Sequence, residues 1–148
     1  MTPQEQIVKK MHPHYMGFLR FYFFGILFII FGVFFILFLP ANIMVGAIII
    51  LISIFVFLMG EISRRAETFY VLESGVAREY KLLSTSRKFV EFEKIQNMEV
   101  NQSFGQKIYG IGDIHFDTAG TDKVEVSFPN INNPYEIEKI IREKMAEN

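Results

Sequence analysis

Long apolar stretches dominate the first half of the chain. Residues 21–60 contain no Asp, Glu, Lys, Arg or His, and Pro40 divides this block into two runs. Each run is long enough, at about 1.5 Å of helical rise per residue, to cross a hydrocarbon core of roughly 30 Å. Because backbone groups in lipid must be paired within their own segment, both runs are predicted to be helices. The pattern therefore predicts a transmembrane helical hairpin over residues 18–62.

The placement of charge predicts how this hairpin is oriented. Cations flank the apolar block at both ends, whereas the connection around Pro40 carries no charge. The positive-inside rule then predicts a multi-pass protein of the cell membrane (inner or plasma membrane) with both termini in the cytoplasm. A cleaved signal peptide is disfavoured, because the first apolar run is too long and no small-residue cleavage site follows it. The flanking cations are Lys9, Lys10, Arg20, Arg64, Arg65 and Arg78.

Small residues recur at intervals of seven along both apolar runs. Two helical turns bring residues at this spacing to one face, and small residues let membrane helices approach closely. Such a seam would join the two runs of one chain or two protomers; the alternative is that glycine is simply common in membrane helices. The predicted packing residues are Gly25, Gly32, Gly46, Ser53 and Gly60.

From residue 61 onward, apolar and polar positions alternate, as is typical of half-buried strands. Turn residues separate the alternating segments, and Gly75, Gly105 and Gly120 are predicted to adopt positive φ. A less regular, glycine-containing stretch covers residues 104–112. The predicted strands cover residues 68–72, 76–83, 88–92, 95–103, 113–118 and 124–128.

A helix is predicted at the C-terminus. Asn133 is suited to cap it, Pro134 to begin it, and Glu136 to complete a capping box. Its apolar side chains lie on one face and need a sheet to cover. The predicted fold is α+β: a two-helix transmembrane hairpin plus a small antiparallel β-barrel or sandwich capped by this helix. The predicted parts are an N-terminal cytoplasmic or interfacial segment over 1–17, the hairpin over 18–62, and a cytoplasmic domain over 65–148.

Composition removes several kinds of chemistry. The chain has no cysteine, which excludes disulfides and thiol nucleophiles, and its net charge of −1 gives no reason to expect nucleic acid. No Ser–His–Asp set or Walker motif is visible. Asp113, His115 and Asp117 share one face of a predicted strand; we interpret them as a solvated face, with a metal or hydrolase site as the alternative. We therefore predict no catalytic residue, no metal, no cofactor and no small-molecule substrate.

Polar and basic side chains near the irregular stretch are the remaining candidates for a binding site. They would contact a partner backbone or a lipid headgroup. The alternative is that the amide side chains hold the irregular stretch in place, and that the cations belong to a solvated surface of mixed charge. The candidate contacts are Arg64, Arg65, Gln102, Ser103, Gln106 and Lys107.

Several segments match one known pattern in order and spacing. They include the strand with Ile-Gln-Asn and Gln-Ser, the glycine-containing segment after it, a Thr-Ala-Gly turn, and the proline entry into the last helix. These segments resemble the YdbS/YdbT membrane-flanked family of bacterial pleckstrin-homology-like (PH-like) domains. The resemblance implies two membrane helices and a cytoplasmic PH-like fold, and it implies no reaction. The matching segments are residues 70–75, 93–103, 106, 109–114, 117–120 and 131–134.

The sequence therefore predicts a non-enzymatic, membrane-anchored interaction or scaffolding module, as an oligomer or as an accessory subunit of a membrane protein complex. The expected partners are membrane lipids and either another protein or a second copy of the chain. The alternative function is that of a sensor that binds anionic lipid at the inner membrane surface. Exposed sheet edges, which can accept a partner strand, also favour the interaction module.

Overall fold

The computed structural model describes residues 6–118 and 124–147. The chain divides into two compact units: one covers residues 15–64, and the other combines the chain up to His14 with the chain from Arg65 onward.

Two long helices make up the first unit. They are α1 (Leu19–Phe38) and α2 (Ile43–Ala66), joined by a single 3-10 turn, Pro40–Asn42. Both helices are long and apolar enough to cross a membrane. Most of their large apolar side chains are exposed, which is the arrangement expected of helices that face lipid. The prediction of two helices is confirmed, and α2 continues beyond the predicted end of the hairpin at residue 62.

Two antiparallel sheets and two helices make up the second unit. The first sheet has the order β1 (Ile7–Met11), β2 (Glu67–Leu72), β3 (Gly75–Lys81), β4 (Thr85–Glu91). The second has the order β5 (Ile95–Asn101), β6 (Ile111–Thr118), β7 (Val124–Asn132). A short helix, α3 (Phe104–Ile108), lies between β5 and β6, and α4 (Pro134–Glu147) follows β7.

Strand β1 was not predicted from the sequence. It pairs antiparallel with β2, with Met11 opposite Phe69 and Lys10 opposite Tyr70. Residues 1–17 were predicted to be a segment of their own, whereas in the structure residues 7–11 form an edge strand of the first sheet. The strand was not predicted because its two lysines interrupt the apolar pattern.

The core of this unit lies between the two sheets and under α4. Phe69 stacks on Phe128 at 4.9 Å between ring centroids, and Phe128 meets the edge of Phe116 at 5.0 Å. Ile137 and Ile141 of α4 are buried in the same cluster. The predicted apolar stripe of the C-terminal helix therefore covers sheet residues, and the alternation of Ile114 and Phe116 in β6 is confirmed.

An ion pair fixes a second connection between the sheets. Arg78 on β3 donates from Nε to Glu67 on β2 (2.6 Å) and from Nη1 to the Ser127 hydroxyl on β7 (3.1 Å). Arg78 is also one of the cations predicted to orient the hairpin. Its hydrogen-bond partners lie within the β domain, and Glu67 is buried.

The prediction of positive φ at Gly75 and Gly105 is wrong, and Gly120 lies outside the described residues. Glycine is required at position 75 for space, because a Cβ there would overlap the carbonyl oxygen of Val90 on the neighbouring strand. Among the described residues, positive φ occurs at Gly110, Asn130 and Asn133.

Strand ends also differ from prediction. The predicted strand over 76–83 ends at Lys81 as β3, so Leu82 and Leu83 lie in the turn that leads to β4. The predicted strand over 88–92 begins earlier, at Thr85, and ends at Glu91. The predicted strand was too long because apolar residues in a turn cannot be distinguished from strand residues by an alternating pattern.

Candidate interaction surface

The irregular stretch between β5 and β6 contains a capped helical turn. Ser103 precedes α3, and its hydroxyl oxygen accepts the backbone N–H of Gln106 at 3.3 Å. The Gln106 side chain returns a bond, since its Oε1 accepts the backbone N–H of Ser103 at 2.9 Å. This reciprocal pair is a capping box, which satisfies two backbone donors that an uncapped helix leaves open.

Gln106 also ties α3 to the second sheet. Its amide nitrogen donates to Asp113 Oδ1 at 2.9 Å and to Asn130 Oδ1 at 3.1 Å. The same Asp113 oxygen accepts the backbone N–H of Asn130 at 2.7 Å. Nearby, Gln102 donates to the carbonyl oxygen of Ile111 at 2.8 Å. These bonds hold α3 on the ends of β6 and β7.

The structure therefore brings three of the predicted contact residues together, namely Gln102, Ser103 and Gln106. Their hydrogen-bonding groups are engaged within the loop, as the alternative interpretation of the sequence expects. Lys107 follows on α3 and is exposed. The polar side chains of Gln102, Ser103 and Gln106 therefore hold α3 in place.

The side chains that α3 presents to solvent are apolar. Phe104 is 83% exposed, Ile108 65% and the adjacent Tyr109 52%. A Cβ at Gly105 would meet no atom within 4 Å, so the space around this turn is open. We call Phe104, Lys107, Ile108 and Tyr109 the α3 surface. Exposed aromatic and aliphatic side chains on a rigidly held element are typical of protein interfaces.

Asn130, which hydrogen-bonds Gln106 of α3, also contacts the N-terminal segment of the β-rich unit. The carbonyl oxygen of Asn130, which lies beside Gln106, accepts the backbone N–H of His14 at 2.7 Å. His14 is the last residue of the β-rich unit before residues 15–64. His12 is also engaged there, with Nδ1 2.9 Å from the carbonyl oxygen of Glu67.

The two predicted arginine contacts belong to α2. Arg64 is held by Glu61 of the same helix, with Nη2 2.7 Å from one carboxylate oxygen and Nε 3.1 Å from the other. The hydroxyl of Tyr22 on α1 donates to the same carboxylate at 3.1 Å. Arg65 is exposed. Glu61 therefore links the two helices through Tyr22, and the guanidinium of Arg64 holds the Glu61 carboxylate in place.

All five predicted packing residues lie buried where α1 meets α2. The Ser53 hydroxyl donates to the carbonyl oxygen of Gly25 at 2.6 Å. A Cβ at Gly32 would lie 3.0 Å from the carbonyl oxygen of Gly46, and one at Gly46 would lie 2.8 Å from that of Gly32. At Gly60 a Cβ would lie 2.8 Å from Phe21 Cβ. The seam thus lies between the two helices of one chain.

The acidic and histidine side chains of β6 do not form a metal site. Asp113 is occupied by Gln106 and Asn130, and Asp117 accepts a long bond of 3.4 Å from Asn97. His115 lies opposite Glu99 and Ser127 in the strand register. Within residues 6–118 and 124–147, no group of three His, Asp or Glu residues is placed to hold a metal ion.

Two further ion pairs involve residues of the first sheet. Lys81 hydrogen-bonds Glu79 at 3.0 Å and lowers the pKa of that carboxyl, and a hydrogen bond from Tyr70 adds to the effect. Burial, followed by the bond to Glu79, raises the pKa of Tyr70. Lys9 on β1 lowers the pKa of Glu136 on α4 through a 2.9 Å hydrogen bond. Both carboxylates are therefore ionised at neutral pH, and each forms an ion pair with a lysine.

Sequence reasoning missed the residues that make up most of the α3 surface. Phe104, Ile108 and Tyr109 were part of a stretch interpreted as irregular. The spacing of Ser103 and Gln106 was the available sign, because Ser-x-x-Gln is a capping-box pattern. The participation of Asp113 and Asn130 depends on the tertiary fold and left no sign in the local sequence.

Comparison with known proteins gives a family and a structural relative. The family model described as "Bacterial PH domain" matches residues 24–145. A crystal structure of a DUF1696 family protein with a pleckstrin-homology domain, from Shewanella loihica PV-4, shares 14% identity with a TM-score of 0.44. That match covers 53% of this chain and 70% of the other. No curated protein matches the chain.

Proposed function

Since this chain belongs to the bacterial PH domain family, as its sequence predicted, we propose that it is a non-enzymatic interaction module anchored in the cell membrane by α1 and α2. The observation that carries the proposal is the α3 surface, which exposes apolar side chains on a turn that hydrogen bonds hold rigidly. We propose that this surface binds protein, either a second copy of the chain or another membrane protein.

Pairing of β1 with β2 supports a specific topology. β1 precedes α1 and β2 follows α2, yet the two strands are hydrogen-bonded neighbours in one sheet. This pairing supports a hairpin whose two ends lie on the same side of the membrane as the β domain. The excess of Lys and Arg at these ends favours the cytoplasmic side.

Cysteine labelling tests this topology, because the native chain contains no cysteine. We expect a membrane-impermeant maleimide to label an Asn42→Cys variant in intact cells, since Asn42 lies in the connection between α1 and α2. A Lys139→Cys variant, on the exposed side of α4, should react only after the membrane is permeabilised. Labelling of Lys139→Cys in intact cells would reverse the proposed orientation.

Protein is favoured over lipid as the occupant of the α3 surface because the surface carries little charge. Lys107 is its one cation, and the neighbouring Asp113 is acidic. Interfacial lipid anchors generally combine apolar side chains with several cations. Aromatic residues at the centre of a small patch are instead characteristic of protein interfaces.

A mass measurement tests the interaction. We expect the native chain, purified in mild detergent, to elute as an oligomer or with a second protein. A Phe104→Ser, Ile108→Ser double variant should shift toward the 17.3 kDa monomer, because it removes the apolar contacts and leaves the capping box intact. Tyr135→Ser, which changes an exposed aromatic on α4, is the matched control. A native chain that is strictly monomeric and alone would contradict the proposal.

A further inference from the structure

The turn between β3 and β4 has an unusual composition. Leu83 is fully exposed (101%) and Leu82 is 39% exposed. Tight turns usually contain Gly, Asn, Asp or Ser, because these residues adopt turn backbone easily and remain hydrated. Leucine has neither advantage. The two leucines therefore require an explanation other than turn formation.

Positive charge surrounds these leucines. Residues 80–90 contain Lys81, Arg87 and Lys88 and no acidic residue. The acids that flank the segment are already paired: Glu79 accepts from Lys81 at 3.0 Å, and Glu91 lies 2.8 Å from Lys94.

Strand register places the turn at one end of the sheet. Glu67, the first residue of β2, pairs with Tyr80, and Glu67 directly follows the last residue of α2. Leu82 and Leu83 lie two and three residues beyond Tyr80, so they extend past the end of β2 that begins with Glu67. At about 3.3 Å per residue, they extend roughly 7–10 Å past the level of Glu67.

We propose that the β3–β4 turn inserts Leu82 and Leu83 into the surface of an anionic bilayer, with Arg87 and Lys88 among the lipid headgroups. This inference rests on the proposed anchoring by α1 and α2. Apolar side chains next to Lys and Arg, with Tyr80 at the interface, form the combination that binds an anionic membrane surface.

A fluorescent probe tests the insertion in the full chain. Leu83→Cys is labelled with an environment-sensitive dye and reconstituted into vesicles of phosphatidylcholine with 30% phosphatidylglycerol, with and without lipids that carry a quencher in the acyl chain. The control probe is Ser74→Cys, in the exposed β2–β3 turn at the opposite end of the first sheet. We expect blue-shifted emission and quenching at position 83, and neither at position 74.

Charge variants test the role of the cations. An Arg87→Gln, Lys88→Gln double variant should lower the ratio of inserted to free turn by about fivefold per charge removed. Pure phosphatidylcholine vesicles should have a similar effect. Equal, unquenched emission at positions 83 and 74 would overturn the inference. A blue-shifted probe at position 83 that no lipid quencher reaches, and whose signal depends on protein density, would also overturn it, because it would indicate contact with a second copy of the chain.

Failure of the anchor is distinguishable from failure of the turn. If α1 and α2 do not span the bilayer, the chain is removed from the vesicles by alkaline carbonate, whatever the probe reports. If only the turn is misassigned, the chain stays in the vesicles and the probe at position 83 remains in water.

Discussion

Replacing Phe128 with alanine is expected to lower the free energy of unfolding of the β domain by about 3–5 kcal/mol. Phe128 is fully buried and contacts Phe69 of the first sheet and Phe116 of the second. Its removal opens a cavity at the point where the two sheets meet. Because small domains are stable by only about 5–15 kcal/mol, such a loss would leave the domain marginal.

Urea-dependent proteolysis of the full chain in detergent measures this effect. Tyr135→Ala is the matched control, because it removes an exposed aromatic ring from α4. The control should change the free energy of unfolding by no more than about 0.5 kcal/mol. Equal urea midpoints for the two variants would mean that the ring cluster does not hold the sheets together.

Replacing Gly46 with valine is expected to separate α1 from α2 where Gly46 faces Gly32. A Cβ at position 46 would lie 2.6 Å from Ile36 Cγ1 and 2.8 Å from the carbonyl oxygen of Gly32. The second contact is with backbone, which no side-chain rotation relieves. Overpacking of this kind costs about 1–3 kcal/mol, and small residues are what allow membrane helices to pack closely.

A disulfide reports on the seam, since the chain has no native cysteine. A Cβ at Gly25 would lie 3.8 Å from Phe57 Cβ, which is within the range that a disulfide bridges. A Gly25→Cys, Phe57→Cys pair should therefore oxidise readily in membranes, and adding Gly46→Val should reduce the yield. Ala47→Val, on the exposed side of α2, should leave the yield unchanged. Equal yields in both backgrounds would show that the glycines are not needed for close contact.

Strand β1 changes how the protein has to be studied. A fragment that begins at residue 65 matches the domain predicted from sequence, but it lacks β1 and exposes the edge of β2. It also loses the Lys9–Glu136 ion pair between β1 and α4. Exposed strand edges promote aggregation, so binding experiments are best done with the full chain.

Local sequence patterns predicted an element correctly where all the residues that determine it lie within one short stretch of the chain. The apolar block predicted α1 and α2 because length and hydropathy alone define such helices. The alternation around Ile114 and Phe116 predicted β6, and the apolar stripe of residues 137–145 predicted α4. Glycine was misjudged at Gly75, because the reason for glycine there is the nearby carbonyl oxygen of Val90, a residue from another strand.

By itself, the sequence determined the division of this protein into an apolar helical pair and a β-rich domain with a C-terminal helix. Only the tertiary structure decided that residues 7–11 complete the first sheet and that Gln106, Asp113 and Asn130 hold α3 in place. It also decided that Leu82 and Leu83 stand in a turn. The physical reason is range: hydropathy and capping act over a few residues, whereas edge pairing and buried polar networks join residues that the chain keeps far apart.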